Sequence, residues 1–366
     1  MISALCLALL LCVTAWPSIS WALSAKLLPE GVWRVRLYQN EVEADHWRTS
    51  AGDRQPMGQV GLDTLASNGI TSTAGVYSLE NSAKYRLHRT DLSLDYGIHD
   101  DLTVGLWLPY FDKSLQQQTT LTQGAAWGAL TGVQQATIAG AASSLNETEP
   151  ARGDFGDLYL GFKHRVVGGN KDRFRFALGG GVRMPTGHVA DPLNSKDAST
   201  GDGQWDLSLW SWTDYQFTDH FFVNLRTYHD YGLAAHKLAA HSNDSSQASR
   251  MKFQPGVLHN IQLEPQVRIP FKKWELLPSL RLTYDYQESE KRQRFDTTQA
   301  IYSGAMVETD GTSWQRLMIK PTLGFKVNTF KFPLFFYLAY GQTLHAKNSA
   351  DIRTVELRMD LFLKGK

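Results

Sequence analysis

The chain has 366 residues, and its 37 basic and 36 acidic side chains leave a formal net charge of +1. That balance argues against a nucleic-acid binder, whose footprint is a basic excess. No apolar run reaches the ~18 residues that a membrane-spanning helix needs, but transmembrane β-barrels escape that test because their lipid-facing residues alternate with polar ones.

Residues 2–16 are uncharged and mostly apolar, with Leu5, Leu7, Leu9, Leu10, Leu11 and Val13. Pro17 and then Ser20-Trp21-Ala22, a small-x-small signature, follow. The pattern predicts a signal peptide over 1–22, cut after Ala22. It departs from the usual pattern in one respect: no Lys or Arg precedes the apolar core, so the Met1 amine alone supplies positive charge. Both cysteines, Cys6 and Cys12, lie inside this segment. The mature chain then offers no disulfide, thiolate metal site or cysteine nucleophile, which suits passage through an oxidising periplasm.

Past the leader, period-two alternation recurs instead of the helical period. Trp33, Val35 and Leu37 oppose Arg34 and Arg36. Leu92, Leu94, Tyr96 and Ile98 oppose Asp91, Ser93 and Asp95, and Leu102 to Tyr110 alternates again. The pattern continues through Leu158–Lys163, Phe174–Arg183, Trp205–Tyr215, Val223–Tyr228, Val257–Arg268, Leu280–Tyr286, Leu317–Val327, the all-apolar stretch near 334–343, and Val355–Leu363. These are twelve candidate strands. Short turns fall at 99–101, 168–172, 218–220, 270–274 and 328–332. Long connections fall at 39–86, 113–152, 186–203, 233–253 and 288–313, with a shorter one at 345–350. Short turns on one side, long loops on the other and an even strand count predict an all-β fold. The expected architecture is a transmembrane antiparallel up-and-down β-barrel over 23–366, with both termini periplasmic.

In such a barrel the apolar face meets lipid and the charged face meets a wet lumen. The predicted lumen lining is Arg34, Arg36, Asp95, Asp157, Lys163, Arg175, Arg183, Asp206, Arg226, Glu264, Arg268, Arg281, Arg316 and Lys326. Mixed signs allow cross-strand ion pairs. Phe217, Phe221, Phe222, Phe271, Trp274, Phe330 and Phe332 gather at the turns, and Tyr110, Phe111, Tyr284 and Tyr286 toward the loops, as interfacial girdles do. The stretch Ser114–Asn146 carries no charge. A loop of that length is functional or disordered. Its Trp127, Leu130, Val133 and Ile138 could make a weak apolar helical face, and Trp127, Leu130 and Val133 are candidates for a constriction folded into the lumen; a mobile external loop is the alternative.

Three stretches carry a family resemblance: Gly153-Asp154-Phe155-Gly156-Asp157-Leu158-Tyr159-Leu160-Gly161-Phe162-Lys163, Gly181-Val182-Arg183-Met184-Pro185-Thr186-Gly187, and Thr200-Gly201-Asp202-Gly203-Gln204-Trp205-Asp206-Leu207. Together they resemble the phenol meta-degradation family of outer-membrane transporters, a group related to fatty-acid and aromatic-hydrocarbon channels. Asp202 inside the glycine pair departs from the family pattern. The resemblance implies a solute channel with no defined substrate, and no binding residues carry over.

Catalysis finds little footing. No Gly-x-Ser-x-Gly run is present. His88, His229 and His345 lie near loop-side strand ends, and Asp230, next to His229, points to the opposite face of its strand. No His-Glu-x-x-His or EF-hand spacing suggests a metal, His236 and His241 are too sparse, and no cofactor is expected. His164 and His259 fall on apolar faces, which suggests interfacial depth. The function expected is passive passage of small amphipathic or aromatic solutes, with a lining rich in Arg favouring anionic or polar groups. A closed barrel serving as scaffold or surface binder is the alternative. The partners expected are outer-membrane lipid, a small solute and the barrel-assembly machinery, without nucleic acid.

Overall fold

The computed structural model describes residues 24–145, 152–194, 197–241, 246–327 and 333–364. The leader expected over 1–22 and the turn expected at 328–332, with Phe330 and Phe332, lie outside the described residues. Twelve strands form one closed antiparallel barrel. They are β1 (Val32–Arg48), β2 (Tyr77–His99), β3 (Leu102–Gln123), β4 (Leu158–Val167), β5 (Phe174–Met184), β6 (Asp206–Gln216), β7 (Phe221–Gly232), β8 (Leu258–Val267), β9 (Trp274–Gln287), β10 (Trp314–Val327), β11 (Leu334–Lys347) and β12 (Ser349–Lys364). Each pairs with its neighbours in sequence, and β12 returns to β1, with Arg36 opposite Asp360. Closure leaves no unpaired strand edge.

Alternation sets the two surfaces. Leu92, Leu94, Leu160, Leu207, Leu209 and Leu357 point outward and are exposed, while Asp91, Asp95, Asp206, Asp214 and Arg226 point inward and are buried. The turns between β2 and β3, β4 and β5, β6 and β7, and β8 and β9 fall where the sequence places them.

The long connections need correction. β1 continues to Arg48 and β2 begins at Tyr77, so the connection expected over 39–86 shrinks to 49–76. β3 likewise runs on to Gln123, into the stretch expected as a loop over 113–152. The physical reason is that the faces change chemistry partway along each strand. Outward residues become Glu41, Glu43, Lys84 and Arg86, and inward ones become Val42, Ala44, Tyr85 and Leu87. The strand goes on, but its lipid-facing signature stops. The connection expected at 345–350 is a single residue, Asn348, in the left-handed conformation at φ 48°. The connections at 233–253 and 288–313 build a second sheet of four strands, Ala235–Ala240, Ala248–Gln254, Lys291–Asp296 and Ile301–Glu308.

Two helices complete the loop end. α1 (Met57–Ser67) and α2 (Gly132–Ser144) pack together through Leu65, Ile138, Ala142 and Leu145. They lie against Tyr77, Leu79 and Leu121 on the inward side of the β2–β3 extension. Thr131 starts α2 through a reciprocal capping box with Gln134.

Candidate functional site

The lumen is the candidate site. All but two of the predicted lining residues face inward and are buried; Arg268 and Lys326 sit half-buried at the turn end, where both reach Glu275. Ion pairs knit the wall. Arg34 meets Asp95 at 2.7 Å, Arg36 meets Asp360 at 2.6 Å and Arg175 meets Asp214 at 3.1 Å. Glu356 joins Arg281 at 3.2 Å and Lys320 at 2.5 Å across intervening strands. Toward the loop end Arg183 contacts Asp157, Asp202 and Asp206. Arg316 pairs with Asp285 and Glu264 with Arg281.

Aromatic side chains share this interior. Tyr159 and Trp210 lie 5.5 Å apart, Trp210 stacks on Tyr228 at 6.2 Å, and Trp107 lies 6.4 Å from Tyr159. Lys163 sits 4.4 Å above the Trp212 ring, within cation–π range. The Tyr159 hydroxyl donates to Ser208, which donates to Asp230 at 2.5 Å. Glycines make the room. A Cβ on Gly161 would meet the Trp210 ring at 2.7 Å, one on Gly181 at 2.6 Å, and one on Gly179 the Trp212 ring at 2.9 Å. The glycine run of β5 thus lets two indoles lie flat on the wall, a close approach only glycine permits. Parity alone placed Trp107, Tyr159 and Tyr228 on the charged face; Trp210 and Trp212 share it, and strand reading passed over them because they are apolar.

Chain segments also occupy the lumen. At the turn end the stretch before β1 enters the barrel. Ser24 Oγ donates to Asp214 Oδ2 at 2.6 Å, the Ala25 amide donates to Asp214 Oδ1 at 2.9 Å, and the Leu28 amide donates to Thr103 Oγ1 at 3.1 Å. Lys163 Nζ donates to the carbonyls of Ser24 and Lys26. Ala25, Leu27 and Leu28 are buried, Ala25 and Leu27 beside Trp210 and Trp212.

At the loop end Met57 of α1 is buried among Val42, Tyr85, Leu87, Phe111, Leu115, Met318 and Ile352, which come from β1, β2, β3, β10 and β12 on one side of the ring. Phe111, expected in the outer girdle, therefore turns inward. The connection after β5 folds down as well: the Gly187 amide donates to Asp157, and Lys113 donates to the Ser199 carbonyl at 2.6 Å.

The three candidate constriction residues sit in or just before α2 at the loop end, Trp127 and Leu130 against its buried cluster. Trp127 packs edge-on against Tyr77 at 6.0 Å, Leu130 joins the helix cluster, and Val133 is 78% exposed. Met57, outside the uncharged stretch, is the helix residue buried against the strand wall here.

No family model matches the chain, and no curated protein matches it. Solved structures do. The COG4313 outer membrane channel from Pseudomonas putida F1 is 13% identical with a TM-score of 0.59, covering 95% of this chain and 99% of that one. The fold is that of an outer-membrane barrel. The transport unit of the autotransporter AIDA-I from Escherichia coli is 7% identical, with a TM-score of 0.46 over 98% of this chain and 97% of its own. The CymD monoaromatic hydrocarbon channel is 12% identical, with a TM-score of 0.36 over 92% and 88%.

His229 and Asp230 do diverge: Asp230 is buried in the lumen, and His229 lies on the outward face. Among the described residues no group of three or more His, Cys, Asp or Glu is placed to hold a metal.

Proposed function

We propose that the chain is an outer-membrane channel for small solutes that carry both an aromatic or apolar part and a charged or polar group. It is exported behind the 1–22 leader, inserted by the barrel-assembly machinery and surrounded by outer-membrane lipid. With both termini periplasmic, the short turns face the periplasm and the helices and second sheet face outside.

One observation carries the reading: chain segments, and not the wall alone, lie inside the barrel. The strap at 24–28 is held by hydrogen bonds to Asp214, Thr103 and Lys163. Such a strap can leave without disturbing a single ladder bond. Twelve strands give a bore between the filled small barrels and the open porins, so removing a strap matters. The solute class rests on Trp107, Tyr159, Trp210, Trp212 and Tyr228 standing beside fixed charges of both signs. A pore selects through such linings.

The closed-scaffold reading has one observation in its favour. The ion pairs of Arg36, Arg281 and Glu356 are buried, as in a barrel filled by its own side chains. Planar-bilayer conductance and liposome swelling separate the two. The channel reading expects small, flickering conductance from the full mature chain and a several-fold rise when residues 24–29 are deleted. Silence from both, with heat-dependent gel mobility showing a folded barrel, supports the scaffold.

A further inference from the structure

Two histidines meet on the outside of the barrel, where passage through the lumen does not need them. His229 of β7 and His259 of β8 stand directly opposite each other in the strand pairing. Their Nδ1 atoms are 2.8 Å apart. Both rings lie on the outward face, beside Leu209 and Tyr286 in the register and near the loop ends of their strands. Placing an imidazole on an apolar surface costs free energy. An aliphatic pair suits such positions, and four residues further along the same face Leu263 does stand opposite Leu225. Ladder hydrogen bonds already tie the two strands, so the pair adds nothing that closure requires.

The surroundings orient one ring. His259 stacks on Tyr286 at 5.9 Å with 12° between the planes. Its Nε2 lies 3.4 Å from Glu288 Oε1. A carboxylate on the far nitrogen keeps the proton there and leaves Nδ1 with its lone pair, the arrangement that holds metal-ligating histidines. With that tautomer on His259, the 2.8 Å contact has the Nδ1–H of His229 donating to that lone pair.

We propose that His229 and His259 form a two-imidazole site for a divalent transition cation, with copper(II) preferred and Glu288 positioning His259. At a square-planar ion with metal–nitrogen bonds of about 2.0 Å, two adjacent nitrogens stand about 2.8 Å apart, against about 3.3 Å at a tetrahedral ion. The present separation is that of a hydrogen bond between the rings, and it leaves both nitrogens close enough for modest ring rotations to bring them to one ion. Copper(II) also heads the affinity order for divalent ions at nitrogen sites. On binding, the His229 proton passes from Nδ1 to Nε2 by exchange with solvent, and both rings turn so that their lone pairs converge on the ion. One N–H bond breaks and another forms on the same ring, so no net proton is released. The His259 side chain is 32% exposed on the outer face, and at the loop ends of the two strands the remaining coordination positions are left to water or headgroup oxygens.

The test uses the untagged mature protein in detergent micelles, with copper(II) chloride as the probe. Calorimetry should show one equivalent bound, and electron paramagnetic resonance should show splitting from two nitrogens. His229→Ala and His259→Ala should each weaken binding at least tenfold, and Glu288→Gln by about tenfold. Heat-dependent gel mobility reports whether each variant is folded; if an alanine variant is not, His229→Asn keeps a polar side chain without the imidazole. Absence of saturable binding to the native chain overturns the proposal, as does one-equivalent binding that survives in His229→Asn or the double alanine variant.

Discussion

The lower barrel and the crest formed by β1, β2 and β3 are built by the same alternation with opposite chemistry. In the lower barrel Leu92 and Leu94 face outward and Asp91 and Asp95 inward; six residues earlier on the same strand Arg86 and His88 face outward and Tyr85 and Leu87 inward. Nothing in the backbone changes between them. What changes is the medium outside. Lipid rewards an apolar exterior, whereas water rewards a polar one and lets the interior become an ordinary apolar core, sealed by Met57 and the two helices. The two regions therefore fail differently when a side chain is altered.

The largest difference should come from acidic partners of arginine. Asp360 is buried between Arg36 and Arg358. Asp360→Ala should destabilise the barrel by about 3–5 kcal/mol, because buried cations are left uncompensated. On the crest Asp45 pairs with Arg353 at 2.9 Å, with side chains 40% and 47% exposed, and Asp45→Ala should cost about 0–1 kcal/mol. Denaturant unfolding in micelles measures both, and equal losses would erase the distinction.

A sharper contrast lies on one strand. Leu94→Arg puts a cation against hydrocarbon and should cost about 2–4 kcal/mol. His88→Arg, on the same face of β2 with Glu41 3.9 Å away, should stay within about 0.5 kcal/mol. Unfolding from lipid vesicles compares the pair, and a costly His88→Arg would move the lipid boundary up the strand. The smallest effect belongs to the crest alone. Thr131→Ala removes the cap of α2 and should cost about 1 kcal/mol, read as faster amide exchange in 132–144 with the barrel strands unchanged.

Much of this was legible in the residues. Arg34 and Arg36 against Val35 and Leu37, and Asp91 and Asp95 against Leu92 and Leu94, display the membrane section directly, and the strand count follows. The upper halves of β1, β2 and β3 were not legible, because Val42 with Glu43, or Leu87 with Arg86, alternates in the inverse sense and no longer reports lipid. Of the helices, α2 left a weak trace in Val133 and Ile138, but it is rich in Ala, Gly and Ser, and its buried side is complete only once Leu65 and Tyr77 are beside it. The site was half visible. Parity assigned the inward charges and puts Trp210 and Trp212 on the same face as Asp206 and Asp214, but how two indoles fit against the wall shows only when the glycines of β4 and β5 are seen beneath them.

Alternation is a local property, written in consecutive residues, so the sequence by itself determined that the chain forms strands, how many cross the membrane and which side chains share a face. What fills the lumen depends on contacts between residues far apart, such as Ser24 with Asp214 or Met57 with Met318. No window along the chain contains both partners. Only ring closure brings them together, and so only the tertiary structure decided which segments lie inside the barrel and which histidines stand together outside it.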